Sequence, residues 1–303
     1  GIGIDLTEND RVKLTVQLIK PVFTGSGGGS SESQDSEKAV YVLSTTGFSI
    51  FDAARNLGKS VGRKIFYGHV EIIVISEEIA KKGIGPYLDF FMREPELRRR
   101  TYTIISRGEA QKILEAVHGI ESISATGLRK IVDGQSILGT LYATDLRMLM
   151  IYLLNEWSDP VIGTVELRKG GPEKKKNNKN NLLFAQGGAL FQEDKLKSFL
   201  SRKEGRGVNW VLQPDEIKGP IMIENPLENN FSESLAQKFA IEILEAETKI
   251  IPEYKNNEFR FIISVETEGQ LVEDFANTFD VTNKNNIDIL NKRMAQVIRN
   301  EKE

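Results

Sequence analysis

Apolar residues alternate with polar ones at the start of the chain: Ile2, Ile4 and Leu6, then Val12, Leu14, Val16 and Leu18, on either side of the polar turn Thr7-Glu8-Asn9-Asp10. A period of two places each set on one face, which predicts a β-hairpin with one buried side. Residues 39–43 form a further strand candidate. Ser49 then opens a helix whose Ile50, Phe51, Ala54 and Leu57 share a side, with Gly58 read as its C-cap and Lys59 near the negative end of the dipole. Residues 70–75 are apolar enough for an interior strand between helices, the mark of a helix-covered sheet. Ser76 is placed to cap the next helix, which carries Glu77 and Glu78 in its first turn. Gly83-Ile84-Gly85-Pro86 breaks that helix, a second runs through Met92, Pro95 closes it, and residues 101–106 return as strand.

From 108 to 155 the pattern turns helical, through Ile113, Leu114 and Val117, then Leu128, Ile131 and Val132, then Leu146, Leu149, Met150 and Leu153 behind a Thr144 cap. Residues 161–167 and 182–191 read as strands, and 193–201 as a helix. Between 234 and 250 helical spacing (Leu235, Phe239, Ile243) competes with alternation that changes parity; a long strand with a bulge fits the latter and is preferred. Phe259, Phe261, Ile263 and Val265 make its partner strand across the polar stretch 252–258, and Ile287, Leu290, Met294 and Val297 close the chain as an amphipathic helix on that sheet. The predicted class is α/β of the mixed α+β kind, multi-domain, with mixed and antiparallel sheets and packed helices. An N-terminal α/β region spans 1–170, with a mostly helical part at about 108–157. The like-charged Lys/Asn-rich loop 171–181 separates it from a C-terminal α/β domain, 182–303.

Composition narrows the chemistry. A chain of 303 residues exceeds the usual single core. A net charge of −3 and a pI near 5.8 disfavour nucleic acid and anionic headgroups as global partners. With no cysteine, disulfides and thiol chemistry are absent, and a metal site would rest on carboxylates beside His69 and His118. The longest apolar run, 148–154, is far short of the roughly 20 residues a membrane helix needs. The start at Gly1, without a basic n-region, reads as a processed or truncated form. The Gly/Ser/acid stretch 24–37 reads as a mobile linker, since no helix or Lys-Ser/Thr pair follows its glycines as a P-loop requires. Gly58-Lys59-Ser60 fails as a Walker A ending because Ala53 stands where the first glycine belongs.

His69, next to Glu71, could serve as a base or pH switch, or simply pack at a strand edge; no serine or second carboxylate is spaced to complete a catalytic set. No metalloprotease, hydrolase-elbow or calcium-loop pattern occurs, so neither an enzyme nor a cofactor is expected. Arg93, Arg98, Arg99 and Arg100, interleaved with Glu94 and Glu96, could dock an acidic partner or pair internally. Trp210 is read as either an interface anchor or a core side chain flanked by Val208 and Val211.

Several segments carry a resemblance in family order: Gly1-Ile2-Gly3-Ile4-Asp5; Lys13 to Pro21; Gly68-His69-Val70-Glu71 with Ile72 to Ile75; Ala80-Lys81-Lys82-Gly83; Asp89 to Arg100; Gly188-Ala189-Leu190-Phe191; and Arg206-Gly207-Val208-Asn209-Trp210. Together they resemble the Ger(x)C or GerAC-type lipoproteins, the C subunits of bacterial spore germinant receptors. The resemblance implies a non-enzymatic ectodomain, lipid-anchored on the outer face of the spore inner membrane, that assembles with membrane-embedded A and B subunits. It also implies structural roles for Gly68, His69, Gly83 and Gly207. Two alternatives stay open: a soluble module that itself binds a small nutrient, and an enzyme using His69.

Overall fold

The computed structural model describes residues 1–19, 40–62, 64–116, 121, 123–169, 181–224, 238–274, 279–280 and 282–302. The 24–37 linker, His118 and the Lys/Asn loop apart from Asn181 lie outside these. The chain divides into two compact units, Gly1–Asp133 with Ala143–Phe199, and Gly134–Tyr142 with Leu200–Glu303.

The first unit is built on a seven-stranded mixed sheet in the order β3-β2-β1-β4-β5-β7-β8. The opening hairpin is β1 (Ile2–Leu6) and β2 (Val12–Ile19), paired antiparallel, and β3 (Val40–Gly47) adds to β2. The apolar run is β4 (Ile72–Ser76), buried along its whole length and parallel both to β1 and to β5 (Tyr102–Ser106). β7 (Thr164–Lys169) continues the parallel set, and β8 (Asn181–Ala185) closes it antiparallel. A short strand β6 (Val161–Ile162) pairs with β9 (Gly188–Gln192), which neighbours β10 (Lys195–Leu200) in a small second sheet.

Helices cover both faces, which explains why β4 does not alternate. On one side Ile73 and Ile75 join Ile50 and Leu57 of α1 (Ile50–Val61), Ile79 of α2 (Glu77–Lys82) and Phe91 of α3 (Gly85–Arg93). On the other, α4 (Ala110–Glu115) and α5 (Ser124–Asp133) come close to β1, where a Cβ on Gly3 would stand 3.1 Å from Leu114 and 3.3 Å from Ala110. α6 (Leu146–Leu154) packs by its buried Leu146 and Leu149.

The second unit holds β11 (Pro220–Glu224), β12 (Lys238–Lys255) and β13 (Glu258–Asp274), all antiparallel, with α7 (Arg202–Leu212) and α8 (Lys284–Lys302). The preferred bulged strand is present: register shifts after Ala240 and after Ile243 move the buried parity from Phe239, Ile241 and Ile243 to Ala246.

Local expectations differ from the structure in five places. The first helix runs through Gly58 to Val61, and Gly62, at φ 68, is the residue that takes the left-handed cap. α6 is capped by Asp145, whose Oδ1 accepts the Met148 N–H at 2.7 Å, whereas Thr144 turns its hydroxyl to the Val161 carbonyl. Residues 195–200 are strand rather than helix, because Glu193, at φ 57, and Asp194 turn the chain back from β9. The polar stretch 252–258 is mostly strand, the turn being only Asn256-Asn257, both at positive φ as a type I′ hairpin requires. By compactness β8, β9 and nearly all of β10 belong with the first unit, while 134–142 belongs with the second.

Candidate docking surface

The arginine segment sits between α3 and β5 and is pinned by backbone to the start of α6. Arg98 accepts the Thr101 N–H at 3.0 Å, the Arg99 carbonyl accepts the Arg147 N–H at 2.9 Å, and the Thr101 carbonyl accepts the Leu146 N–H at 2.9 Å. The backbone is thus fixed while the side chains of Arg98, Arg99 and Arg100 remain exposed. Arg99 Nη1 lies 3.0 Å from Met150 Sδ on α6.

The interleaved glutamates do not neutralise these three arginines. Glu96 binds Lys64 Nζ at 2.6 Å and accepts the Tyr67 N–H, which holds its carboxyl below the usual range, and Glu94 accepts the Glu96 N–H. Arg93 is spoken for, with Nε 2.9 Å from both oxygens of Asp89 one turn earlier. Among the described residues no carboxylate pairs with Arg98, Arg99 or Arg100.

Next to this turn, α6 is apolar without interruption from Met148 to Leu154, a composition that normally means burial all round. Yet Arg147, Ile151 and Leu154, spaced i, i+4, i+7, form an outward stripe. Ile151 is 57% exposed, Leu154 78%, and Trp157 just beyond the helix 91%. They line a shallow hollow of about 500 Å³ with Asn155 and Glu156, and Asn155 Oδ1 fixes the loop by accepting the Trp157 N–H at 3.0 Å. The sequence pattern marked Leu146, Leu149, Met150 and Leu153 as the apolar positions of this helix and did not single out Ile151, Leu154 or Trp157. The available signal was that Met148 to Leu154 is apolar without interruption, so one face of any helix there had to remain uncovered unless it was surrounded.

Of the two readings of Trp210, the structure has the core side chain and not the interface anchor. It is fully buried in the second unit, where its Nε1 donates to Glu301 Oε2 at 2.8 Å. The surrounding motif is a polar hub. Arg206 pairs with Glu301 at 3.1 Å and donates to the carbonyls of Gly219 and Pro220; burial pushes its guanidinium below the ordinary value while Glu301 opposes that shift. Asn209 Nδ2 donates to the carbonyls of Gly139 and Leu141 at 3.0 Å each, which clips residues 134–142 onto α7. Gly207 is buried on the same helix.

The remaining motif residues have structural surroundings. His69 is exposed in the turn before β4, its ring edge-on to Phe66 with centroids 5.4 Å apart, and Glu71 is engaged instead by Thr126 Oγ1 at 3.0 Å. Gly68 is buried where a Cβ would strike the Phe66 ring at 2.4 Å. Gly83, at φ 120, closes α2 where a Cβ would meet the Asp194 carboxylate at 2.7 Å.

A second concavity of about 520 Å³ lies beyond the carboxyl ends of β1, β4, β5 and β7, where open parallel sheets commonly receive ligands. Its electrostatics are largely satisfied from within. Asp5 takes the Ala110 and Gln111 N–H groups at 2.7 and 2.9 Å, Lys81 pairs with Glu77, Lys112 pairs with Glu109, and Arg107 lies over Phe199. No cluster of His, Asp or Glu able to hold a metal occurs among the described residues.

The fold and its exposed surface describe an α/β protein of two units that carries an exposed apolar stripe on α6, with Arg98, Arg99 and Arg100 exposed nearby and no carboxylate partner for them among the described residues. The chain belongs to the GerAC-type spore germination protein family: the spore germination protein N-terminal domain matches residues 1–167, and the spore germination B3/GerAC-like C-terminal domain matches 186–303. It is similar to spore germination protein KC of Bacillus subtilis (strain 168), 26% identical over 89% of this chain and 66% of that protein. YndF of the same organism, also a spore germination protein, is 24% identical over 99% and 69%. The chain therefore spans about two thirds of these relatives' length. The crystal structure of the GerBC protein shares the fold, with a TM-score of 0.54 at 20% identity over all of this chain and 79% of that one. Among the described residues no helix is long and apolar enough to cross a membrane.

Proposed function

We propose that this protein is the C subunit of a spore nutrient germinant receptor. It is a lipid-anchored ectodomain on the outer face of the spore inner membrane that works by assembly with the A and B membrane subunits rather than by catalysis. Family membership supports the germination role. The observation that supports the assembly role is the combination of Arg98, Arg99 and Arg100, exposed and without carboxylate partners among the described residues, with the bare Ile151-Leu154-Trp157 stripe on α6, whose start is held to the arginine turn by backbone hydrogen bonds. Aromatic and arginine side chains dominate protein interfaces, and a surface already fixed by backbone hydrogen bonds loses little freedom on docking. The alternative, direct nutrient capture, would use the concavity beyond β4 and β5, whose internally paired charges leave it the weaker reading.

The test is co-purification of the full-length lipidated protein with its membrane subunits. Arg98→Glu with Arg99→Glu, and separately Leu154→Glu with Trp157→Glu, should each abolish recovery of the membrane subunits while leaving the melting temperature unchanged. Full recovery with both double variants would exclude this face as the assembly surface.

A further inference from the structure

Helix α1 has a second face besides the one in the core. Ile50, Ala53 and Leu57 belong to the buried cluster of the first unit. Phe51, Ala54, Arg55, Gly58, Lys59 and Gly62, spaced i, i+3, i+4, i+7, i+8 and i+11, share another side. All six line a hollow of about 580 Å³, to which Tyr67 before β4, Phe90 of α3 and Glu94 just after it also contribute. A volume of that order suits a small molecule.

The apolar part of the lining is aromatic. Phe51 and Phe90 have centroids 6.4 Å apart and Tyr67 meets Phe90 edge-on at 5.8 Å, so the three rings are continuous. Phe51 stays 54% exposed, with the Arg55 guanidinium 5.0 Å from its centroid. Gly58 keeps the helix side open. Glycine is the poorest helix former after proline, and a larger side chain on this face would project into the hollow. Gly62 continues the opening, since a Cβ there would meet nothing within 4 Å.

The polar part holds an unused donor and unpaired positive charge. Tyr67 is 6% exposed, yet its hydroxyl has no hydrogen-bond partner among the described residues. Burial, and then Glu94 and Glu96, push that hydroxyl up to about 12, so it keeps its proton and can donate it to an anion. Lys64 is paired with Glu96 at 2.6 Å. Arg55 and Lys59, one turn apart, meet no carboxylate among the described residues; Lys59 Nζ lies 3.4 Å from Asn56 Oδ1. Facing them the lining has one carboxylate, Glu94, whose Oε1 accepts the Glu96 N–H.

We propose that this hollow is a binding site for a small aromatic carboxylate, its ring among Phe51, Phe90 and Tyr67 and its carboxylate taking the Tyr67 hydroxyl as donor beside Arg55 and Lys59. The site shares no residue with the α6 face or with the concavity beyond β4 and β5. A hydrogen bond to a carboxylate is charge-assisted, so the anion is favoured over a neutral molecule of the same shape.

Ligand-observed saturation-transfer NMR on the 303-residue chain tests this with 3-phenylpropionate, 3-phenylpropanamide and 3-phenylpropylamine, which share a body and differ in charge. The anion should bind saturably, the amide about tenfold more weakly, and the amine not at all. Gly58→Leu, which fills the hollow with a better helix former, should abolish anion binding at an unchanged or higher melting temperature. Tyr67→Phe should weaken the anion about tenfold and remove most of its advantage over the amide. Equal binding of anion and amide would overturn the inference. So would unchanged anion binding in either folded variant, or no saturable binding of the anion to the unaltered chain.

Discussion

Asp5→Ala tests how the parallel sheet is tied to its helices. Asp5 is 3% exposed near the end of β1, and its two oxygens accept the Ala110 and Gln111 N–H groups at 2.7 and 2.9 Å. Truncation strands two buried donors, each costing about 1–3 kcal/mol. Part of that is offset by removing a desolvated carboxylate, so a net loss of about 2–4 kcal/mol is expected. For a unit of this size that corresponds to a fall of about 4–16 °C in melting temperature. Burial, the largest influence, raises the Asp5 carboxyl above 3.8, against the opposing pull of the two N–H groups. A raised folded value means that the native state holds the proton more tightly than the unfolded chain. The stabilisation from Asp5 is therefore fullest below 3.8 and declines as pH rises through the interval up to the folded value. Urea unfolding followed by circular dichroism between pH 3 and 7 measures both effects. A wild-type to Asp5→Ala difference under about 0.5 kcal/mol, the range of an ordinary surface change, would refute the structural role. A difference that grows as pH rises would refute burial as the dominant influence.

Two further substitutions separate core from surface. Glu301→Ala removes the partner of both Arg206 and Trp210, leaving a buried guanidinium held only by carbonyls; a loss of about 3 kcal/mol is expected by chemical denaturation, with a red shift of Trp210 emission in a Trp157→Phe background. His69→Ala should change stability by no more than about 0.5 kcal/mol and leave the germination rate of spores unaltered, since the ring is exposed and stands edge-on to Phe66; loss of germination at unchanged stability would revive a catalytic role.

Much of the architecture was legible because it rests on short-range periodicity. The β1–β2 hairpin follows from strict alternation, the interior position of β4 from four consecutive aliphatic residues, and the bulge in β12 from the change of parity between Phe239-Ile241-Ile243 and Ala246. What escaped depends on partners distant in sequence. Residues 134–142 join the second unit because Asn209 and Arg206 supply donors about 70 residues away, a pairing no local pattern encodes. Trp210 suited both interface and core until Glu301 was seen to take its N–H. The α6 stripe was missed for the converse reason: apolar side chains are expected inside, but nothing in a seven-residue apolar run says which of them lack a neighbour. The arginine cluster was found by composition alone, whereas its freedom from Glu94 and Glu96 emerged only with Lys64 and Tyr67 in place.

The assembly role is tested most directly by a photoreactive amino acid at position 154 of the full-length lipidated protein in dormant spore membranes. Illumination should link position 154 to a membrane-embedded receptor subunit. Efficient photolysis with no membrane subunit attached at 154 would contradict the account.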